Sequence, residues 1–219
     1  MAGIADNLQA VRARIGRASG VTLLAVSKTQ SADRVREAFD AGQNAFGENY
    51  VQEAVQKMEG LPPSLEWHLI GPLQSNKTRL AAERFAWVQT VASEKIARRL
   101  SEQRPASLPP LNVLIQVNVS GEASKSGVEL DRTADLARAI AALPRLKLRG
   151  LMAIPEPGAD RSRYASVRNV FDKLKGQFGF DTLSMGMSDD LDLAIAEGST
   201  MVRIGTAIFG QRTKHKSAA

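Results

Sequence analysis

The sequence predicts an α/β fold: a single (β/α)8 TIM-type barrel preceded by one extra N-terminal helix. Three observations predict it. Short apolar runs alternate with helix-period segments eight times over about 200 residues. The runs are apolar at successive positions, as in Leu111-Asn112-Val113-Leu114-Ile115, which suits parallel strands covered on both faces. The first run ends in Ser27-Lys28-Thr29-Gln30, without the glycine-rich turn that usually follows the first strand of an open doubly wound sheet.

The elements follow in order. A helix over 4–17 opens the chain, and the apolar run 21–26 leads into Ser27-Lys28. Residues 32–41 place Val35, Ala38 and Phe39 on one helical face and close at Gly42. The run 44–46 ends in Gly47, and a helix spans 49–58. Then come strand 66–71, helix 75–84, strand 87–90 and helix 93–103. A proline-bearing link over 105–110 allows a domain boundary, but the alternation resumes beyond it. Strand 111–119 is the strongest; helix 129–142, strand 146–154 and helix 160–177 follow. Strand 182–185, helix 189–197 and strand 201–204 complete eight repeats, and Ala207-Ile208-Phe209 opens a terminal segment. Residues 1–212 therefore read as one domain and 213–219 as a basic, disordered tail.

Composition removes several chemistries. The 219 residues contain no cysteine, which excludes a disulfide scaffold, a thiolate nucleophile, a zinc ribbon and an iron–sulfur centre. Only His68 and His215 remain to ligate a metal through imidazole, so a multi-histidine site is not expected. No apolar run approaches membrane-spanning length, and the start has no signal-type stretch, so a soluble protein of a reducing compartment is expected. The net charge of +6 permits anionic ligands. Its bases are interleaved with acids, and aromatics make up only 5% of the chain, which argues against nucleic acid as a partner.

In a closed barrel the chemistry lies at the carboxyl ends of the strands. Two loops there, Ser184-Met185-Gly186-Met187-Ser188 and Arg203-Ile204-Gly205-Thr206, follow the seventh and eighth strands, where this architecture usually holds phosphate. Glycine admits close backbone approach to an anion, and Ser or Thr adds a hydroxyl donor. Ser188 as a mere helix cap is the plainer alternative. Lys28 shares a strand face with Leu24 and Val26, so it points into or over the barrel mouth. An ordinary lysine is almost wholly ammonium at neutral pH; burial and a neighbouring arginine would free the amine to condense with an aldehyde. Arg203 could clamp a phosphate or donate to a ring nitrogen. Asn49 could cap the next helix or touch a ring substituent. His68 reads as a satisfied core histidine, and Lys125 as a polar-loop residue within reach of phosphate or solvent. Asp189, Asp190 and Asp192 read as first-turn helix acids.

These segments also carry a resemblance. Ala25-Val26-Ser27-Lys28-Thr29, Phe46-Gly47-Glu48-Asn49-Tyr50, the run from Trp67 to Lys77, Lys125-Ser126-Gly127, Gly150 to Pro155, Ser184 to Asp190 and Val202 to Gly210 resemble the pyridoxal-phosphate homeostasis protein family. That family is similar in fold to the N-terminal domain of bacterial alanine racemase. The resemblance runs from about residue 4 to 212, seven motifs in order. It implies a (β/α)8 barrel carrying pyridoxal 5′-phosphate (PLP) as a Schiff base on Lys28. It places the phosphate at Met187-Ser188 and Gly205-Thr206, with Arg203 near the cofactor. It implies a cytoplasmic, monomeric regulator of vitamin B6 balance without established turnover, with PLP-dependent apoenzymes as possible recipients. A slow PLP-dependent racemase or lyase is the alternative. The chain departs from the family in a short connection before Val21 and a compact Gly60-Leu61-Pro62-Pro63 link.

Overall fold

Parallel strands wrap into a closed wall in this computed structural model, which describes residues 3–16, 20–120 and 126–211. In chain order the strands are β1 (Thr22–Val26), β2 (Ala45–Glu48), β3 (Glu66–Leu69), β4 (Trp87–Val91), β5 (Leu111–Asn118), β6 (Val128–Glu129), β7 (Leu146–Ala153), β8 (Thr182–Ser184) and β9 (Met201–Ile204). β1 sits between β2 and β9, and the ring closes where β4 pairs with β5 through Trp87↔Asn112 and Val88↔Val113. β6 stands outside the wall as a two-residue addition to the end of β5. The eight-stranded closed barrel is thus the one expected, and the pairing of β4 with β5 disposes of the open-sheet alternative.

Helices clothe the wall: α1 (Ile4–Ile15), α2 (Ala32–Asp40), α3 (Val51–Met58), α4 (Thr78–Arg84), α5 (Glu94–Gln103), α6 (Thr133–Ala141), α7 (Arg161–Phe178), α8 (Leu191–Ala196) and α9 (Thr206–Phe209). Local chemistry sets several of their starts. The side chains of Ser31, Ser93 and Asp160 accept from the N–H groups of Arg34, Ile96 and Ser162, each cap worth about 1 kcal/mol. Four helix starts lie two or more residues beyond the expected ones, those expected from 49 and 75 falling at Val51 and, after a 3₁₀ turn over Ser75–Lys77, at Thr78. The helix expected from 129 starts at Thr133, because Val128 and Glu129 pair with β5 and a 3₁₀ turn over Leu130–Arg132 follows. The helix expected from 189 starts at Leu191, because residues 188–190 form a turn. The basic tail over 213–219 lies outside the described residues.

Strand alternation divides the wall into two environments. Outward residues such as Ala25, Trp67, Val88, Val113, Leu151, Leu183 and Val202 join the apolar core between wall and helices. Inward residues are a different set. Trp87, Leu114 and Met152 form a separate small apolar cluster, beside a chain of polar groups. Arg203 Nη1 donates to Ser184 Oγ at 2.8 Å, Ser184 Oγ donates to Gln89 Oε1 at 2.8 Å, and Gln89 Nε2 meets His68 Nδ1 at 2.9 Å. His68 Nε2 completes the chain on Glu66 Oε1 at 2.8 Å, and its ring stacks on Trp87. With Nδ1 accepting, the neutral Nε2–H tautomer satisfies every link. His68 is the core histidine expected from its neighbours in sequence.

That histidine has a measurable signature. Complete burial holds its pKa below the ordinary histidine range, against the opposing pull of Glu66. The unfolded chain therefore takes up this proton first as pH falls. The stability His68 contributes is present in full above about pH 6.5 and declines below it, at most by about 1.4 kcal/mol per pH unit. Urea unfolding at about pH 7.5 and 5.5 should show wild type losing about 1 kcal/mol more than His68→Gln. Equal losses would mean that the folded protein takes up this proton as readily as the unfolded chain does.

Candidate functional site

The carboxyl ends of the wall strands surround a cavity of about 610 Å³, within the usual range for small-molecule sites. Lys28, Asn49, Met187, Ser188, Arg203, Gly205 and Thr206 all line it. The structure therefore brings together every residue selected for the site from sequence, drawn from just beyond β1 and β2, from β9 itself and from the loops after β8 and β9. Val26, Ile70 and Ile154 supply apolar surface, and Arg14, Gln30 and Asp189 add polar groups.

Lys28 reaches the cavity because it keeps the inward parity of Leu24 and Val26 beyond the last residue of β1. The chain then turns sharply. Gln30 N–H donates to the Ser27 carbonyl at 3.0 Å, and Thr29 adopts φ +64°. A β-branched residue in the left-handed region is a genuine outlier, costing on the order of 1–3 kcal/mol.

Arg203 is buried at the floor of the cavity. Nη1 donates to both the carbonyl and the hydroxyl of Ser184 at 2.8 Å, and Nη2 donates to the Ala153 carbonyl at 2.9 Å. These three bonds fix the guanidinium and leave the Nε–H and one Nη2–H as its remaining donors. Burial pulls its pKa down to about 10, with Asp190 pulling the other way, so it remains cationic at neutral pH. A ring nitrogen facing such a group gains a hydrogen bond but not a proton.

The two glycine-bearing loops supply the anion chemistry. Gly205 exposes backbone to the cavity, and the N–H groups of Thr206 and Ala207, in the first turn of α9, have no acceptor within that helix. Across from them lie Met187 and Ser188. Ser188 is not the cap of α8: Asp190 is its N-cap residue, and the serine faces the cavity. Asp190 organises this loop instead, its Oδ1 accepting from Met187 N at 2.6 Å and its Oδ2 from Tyr164 Oη at 2.5 Å. Burial and that carboxylate push the tyrosine well above the ordinary phenol range. Of the three acids expected in the first turn of α8, only Asp192 lies there, and it pairs with Arg14 at 3.0 Å. Asn49 does not cap α3 either. Tyr50 takes that position, and Asn49 lines the cavity. Its backbone lies so close to Gly71 that a Cβ there would fall 2.2 Å from the Asn49 carbonyl oxygen.

Sequence reasoning missed the groups that hold the site from behind. Arg14 on α1 donates to the Ser188 carbonyl at 2.9 Å, and Asn7 on the same helix to the Ile208 carbonyl at 2.9 Å. The extra helix thereby ties down the loop after β8 and the short helix α9 that follows β9. No local pattern marks Arg14, whose partners lie 174 residues or more away. Lys125 lies outside the described residues. Together the groups present an amine, a fixed cationic donor and a backbone-lined anion cradle, a set that fits a phosphorylated aromatic aldehyde.

Known proteins share this fold. Residues 1–213 match the family model of the alanine racemase N-terminal domain. The chain is 55% identical to the pyridoxal phosphate homeostasis protein of Escherichia coli K12, covering 99% of this chain and 97% of that one. It is 57% identical to the protein of that name in Pseudomonas aeruginosa, covering 97% of each. PipY of Synechococcus elongatus, solved without PLP, superposes with a TM-score of 0.88 at 38% identity, over 94% of this chain and all of that one. The same protein solved with PLP bound gives 0.85. Alanine racemase of Bacillus anthracis, 20% identical with a TM-score of 0.71, shares the fold over 56% of its length. The chain belongs to the alanine racemase N-terminal domain family and, within it, to the pyridoxal phosphate homeostasis proteins.

Proposed function

We propose that this protein binds pyridoxal 5′-phosphate through Lys28 and serves as a reversible, non-catalytic carrier of it. The observation that carries this reading is a single cavity in which Lys28, the buried Arg203 and two backbone-exposing loops converge. When bound, PLP supplies an electrophilic aldehyde. Lys28 would hold that group reversibly through Nζ, which must shed its proton to react, with water released on capture and consumed on release. Gly205, Thr206 and Ser188 hold the phosphate, and Asn49 lies beside the ring. Arg203 would orient the ring through a remaining N–H without protonating it, which leaves the ring a weak electron sink.

A slow racemase or lyase is the rival. It needs a second proton-transfer group across the ring from Lys28. Among the described residues lining the cavity the titratable side chains are Arg14, Lys28, Asp189 and Arg203, and Tyr164 is engaged with Asp190. That inventory favours the carrier. PLP-dependent apoenzymes are the proposed recipients, the protomer acts as a monomer, and its compartment is the cytoplasm. Among the described residues no helix is long and apolar enough to cross a membrane. Purified holoprotein should restore activity to a PLP-free aminotransferase while failing to racemise or cleave L-amino acids. Turnover on the order of 1 s⁻¹ or faster would refute the carrier.

A further inference from the structure

Behind the turn that carries Lys28 lies a buried ionic cluster that the site does not otherwise use. Lys57 Nζ donates to Glu48 Oε1 at 2.6 Å, to the Ser27 carbonyl at 2.8 Å and to Glu53 Oε1 at 3.3 Å. Ser27 Oγ donates to the same Glu48 oxygen at 2.7 Å, and Thr29 N–H donates to Glu53 Oε1 at 2.7 Å. Lys57 and Glu48 are both buried, and Glu48 Oε2 has no hydrogen-bond partner.

Stability is a poor explanation for this arrangement. A buried ion pair seldom outperforms apolar residues of similar volume, and an orphaned carboxylate oxygen makes this one worse. Two of these bonds fall on backbone groups, the Ser27 carbonyl and the Thr29 N–H, which bracket Lys28, and a third holds the Ser27 hydroxyl. Thr29 is also the described non-glycine residue with positive φ. A strained turn held on both sides of one side chain gives that side chain a fixed direction of departure.

We propose that Lys57 and Glu53 are positioning residues that aim Lys28 into the cavity by clamping the Ser27–Thr29 backbone. The proposal rests on the reading of Lys28 as the PLP-binding amine. Lys57 holds the Ser27 carbonyl and Glu53 holds the Thr29 amide, and Glu48 neutralises Lys57 in the interior. None of the three lines the cavity. Loosening the clamp should therefore impair capture of the aldehyde and spare the phosphate cradle.

Pyridoxine 5′-phosphate, which has the ring and phosphate but no aldehyde, separates the two effects. Two variants are compared with wild type: Glu53→Ala, at a partly exposed position, and Lys57→Met combined with Glu48→Leu, which leaves no unpaired buried charge. Each should bind PLP at least about tenfold more weakly and form the borohydride-trappable bond more slowly, since small misplacement of a reacting group is costly. Pyridoxine 5′-phosphate affinity should stay within about twofold, and Glu53→Gln, whose amide oxygen still accepts from Thr29, should restore PLP capture. Wild-type PLP affinity in both folded variants overturns the proposal, as does a parallel loss of both ligands. Should Lys28→Ala itself retain the trappable bond, the reading of Lys28 fails, and this proposal falls with it.

Discussion

Lys28→Ala should abolish the borohydride-reducible bond to PLP and leave the barrel intact. Lys28 is half-buried at the cavity and belongs to neither apolar cluster, so its removal should change unfolding free energy by only about 0.5 kcal/mol. Noncovalent binding should survive in part, because Arg203 and the two loops remain. The expected loss in affinity is on the order of 100-fold, equivalent to about 2.7 kcal/mol. Absorbance spectra before and after borohydride, followed by peptide mapping, check both halves of the expectation. Reduced label on another lysine of the variant would remove Lys28 from the site.

Gly205→Val should strike the other half of the site. A Cβ at this position would lie 3.2 Å from the Val26 carbonyl oxygen and 3.4 Å from Val26 Cβ, tight enough that β1 must yield slightly. The valine methyls would then occupy space where the backbone now faces the cavity. A phosphate dianion kept from its N–H donors loses charge-assisted hydrogen bonds worth about 1.5–3 kcal/mol each. PLP affinity should fall about 100-fold. Pyridoxal, which lacks the phosphate, should lose far less. The comparison of the two ligands separates loss of the cradle from general damage to the fold. Undiminished PLP affinity in a folded Gly205→Val protein would show that the phosphate sits elsewhere.

Much of this architecture is legible in the chain. The runs at 21–26 and 111–119 announce β1 and β5 because strands covered on both faces are mostly apolar, and the period of two then carries Lys28 inward from Leu24 and Val26. The loops at Met187-Ser188 and Gly205-Thr206 stand out because their glycines and hydroxyls fall after the seventh and eighth repeats. Local competition for hydrogen bonds was harder to read. Ser188 and Asn49 have capping chemistry, yet Asp190 and Tyr50 occupy the cap positions, since the Asp190 carboxylate is drawn to Met187 N and Tyr164 Oη. Nothing in the sequence distinguishes Asp190 from Asp189 or Asp192 for that task.

The sequence by itself determined the barrel class, the inward parity of Lys28 and the gathering of Lys28, Asn49, Met187, Ser188, Arg203, Gly205 and Thr206 at one cavity, because each depends on periodicity and on position at the end of a strand. Only the tertiary structure decided what holds those residues in place. Arg14 against Ser188, Ser184 against Gln89 and Tyr164 against Asp190 come from segments far apart in the chain. Their meeting is set by ring closure and by the packing of helices on the wall, and a local pattern carries no information about which distant partner closure will deliver.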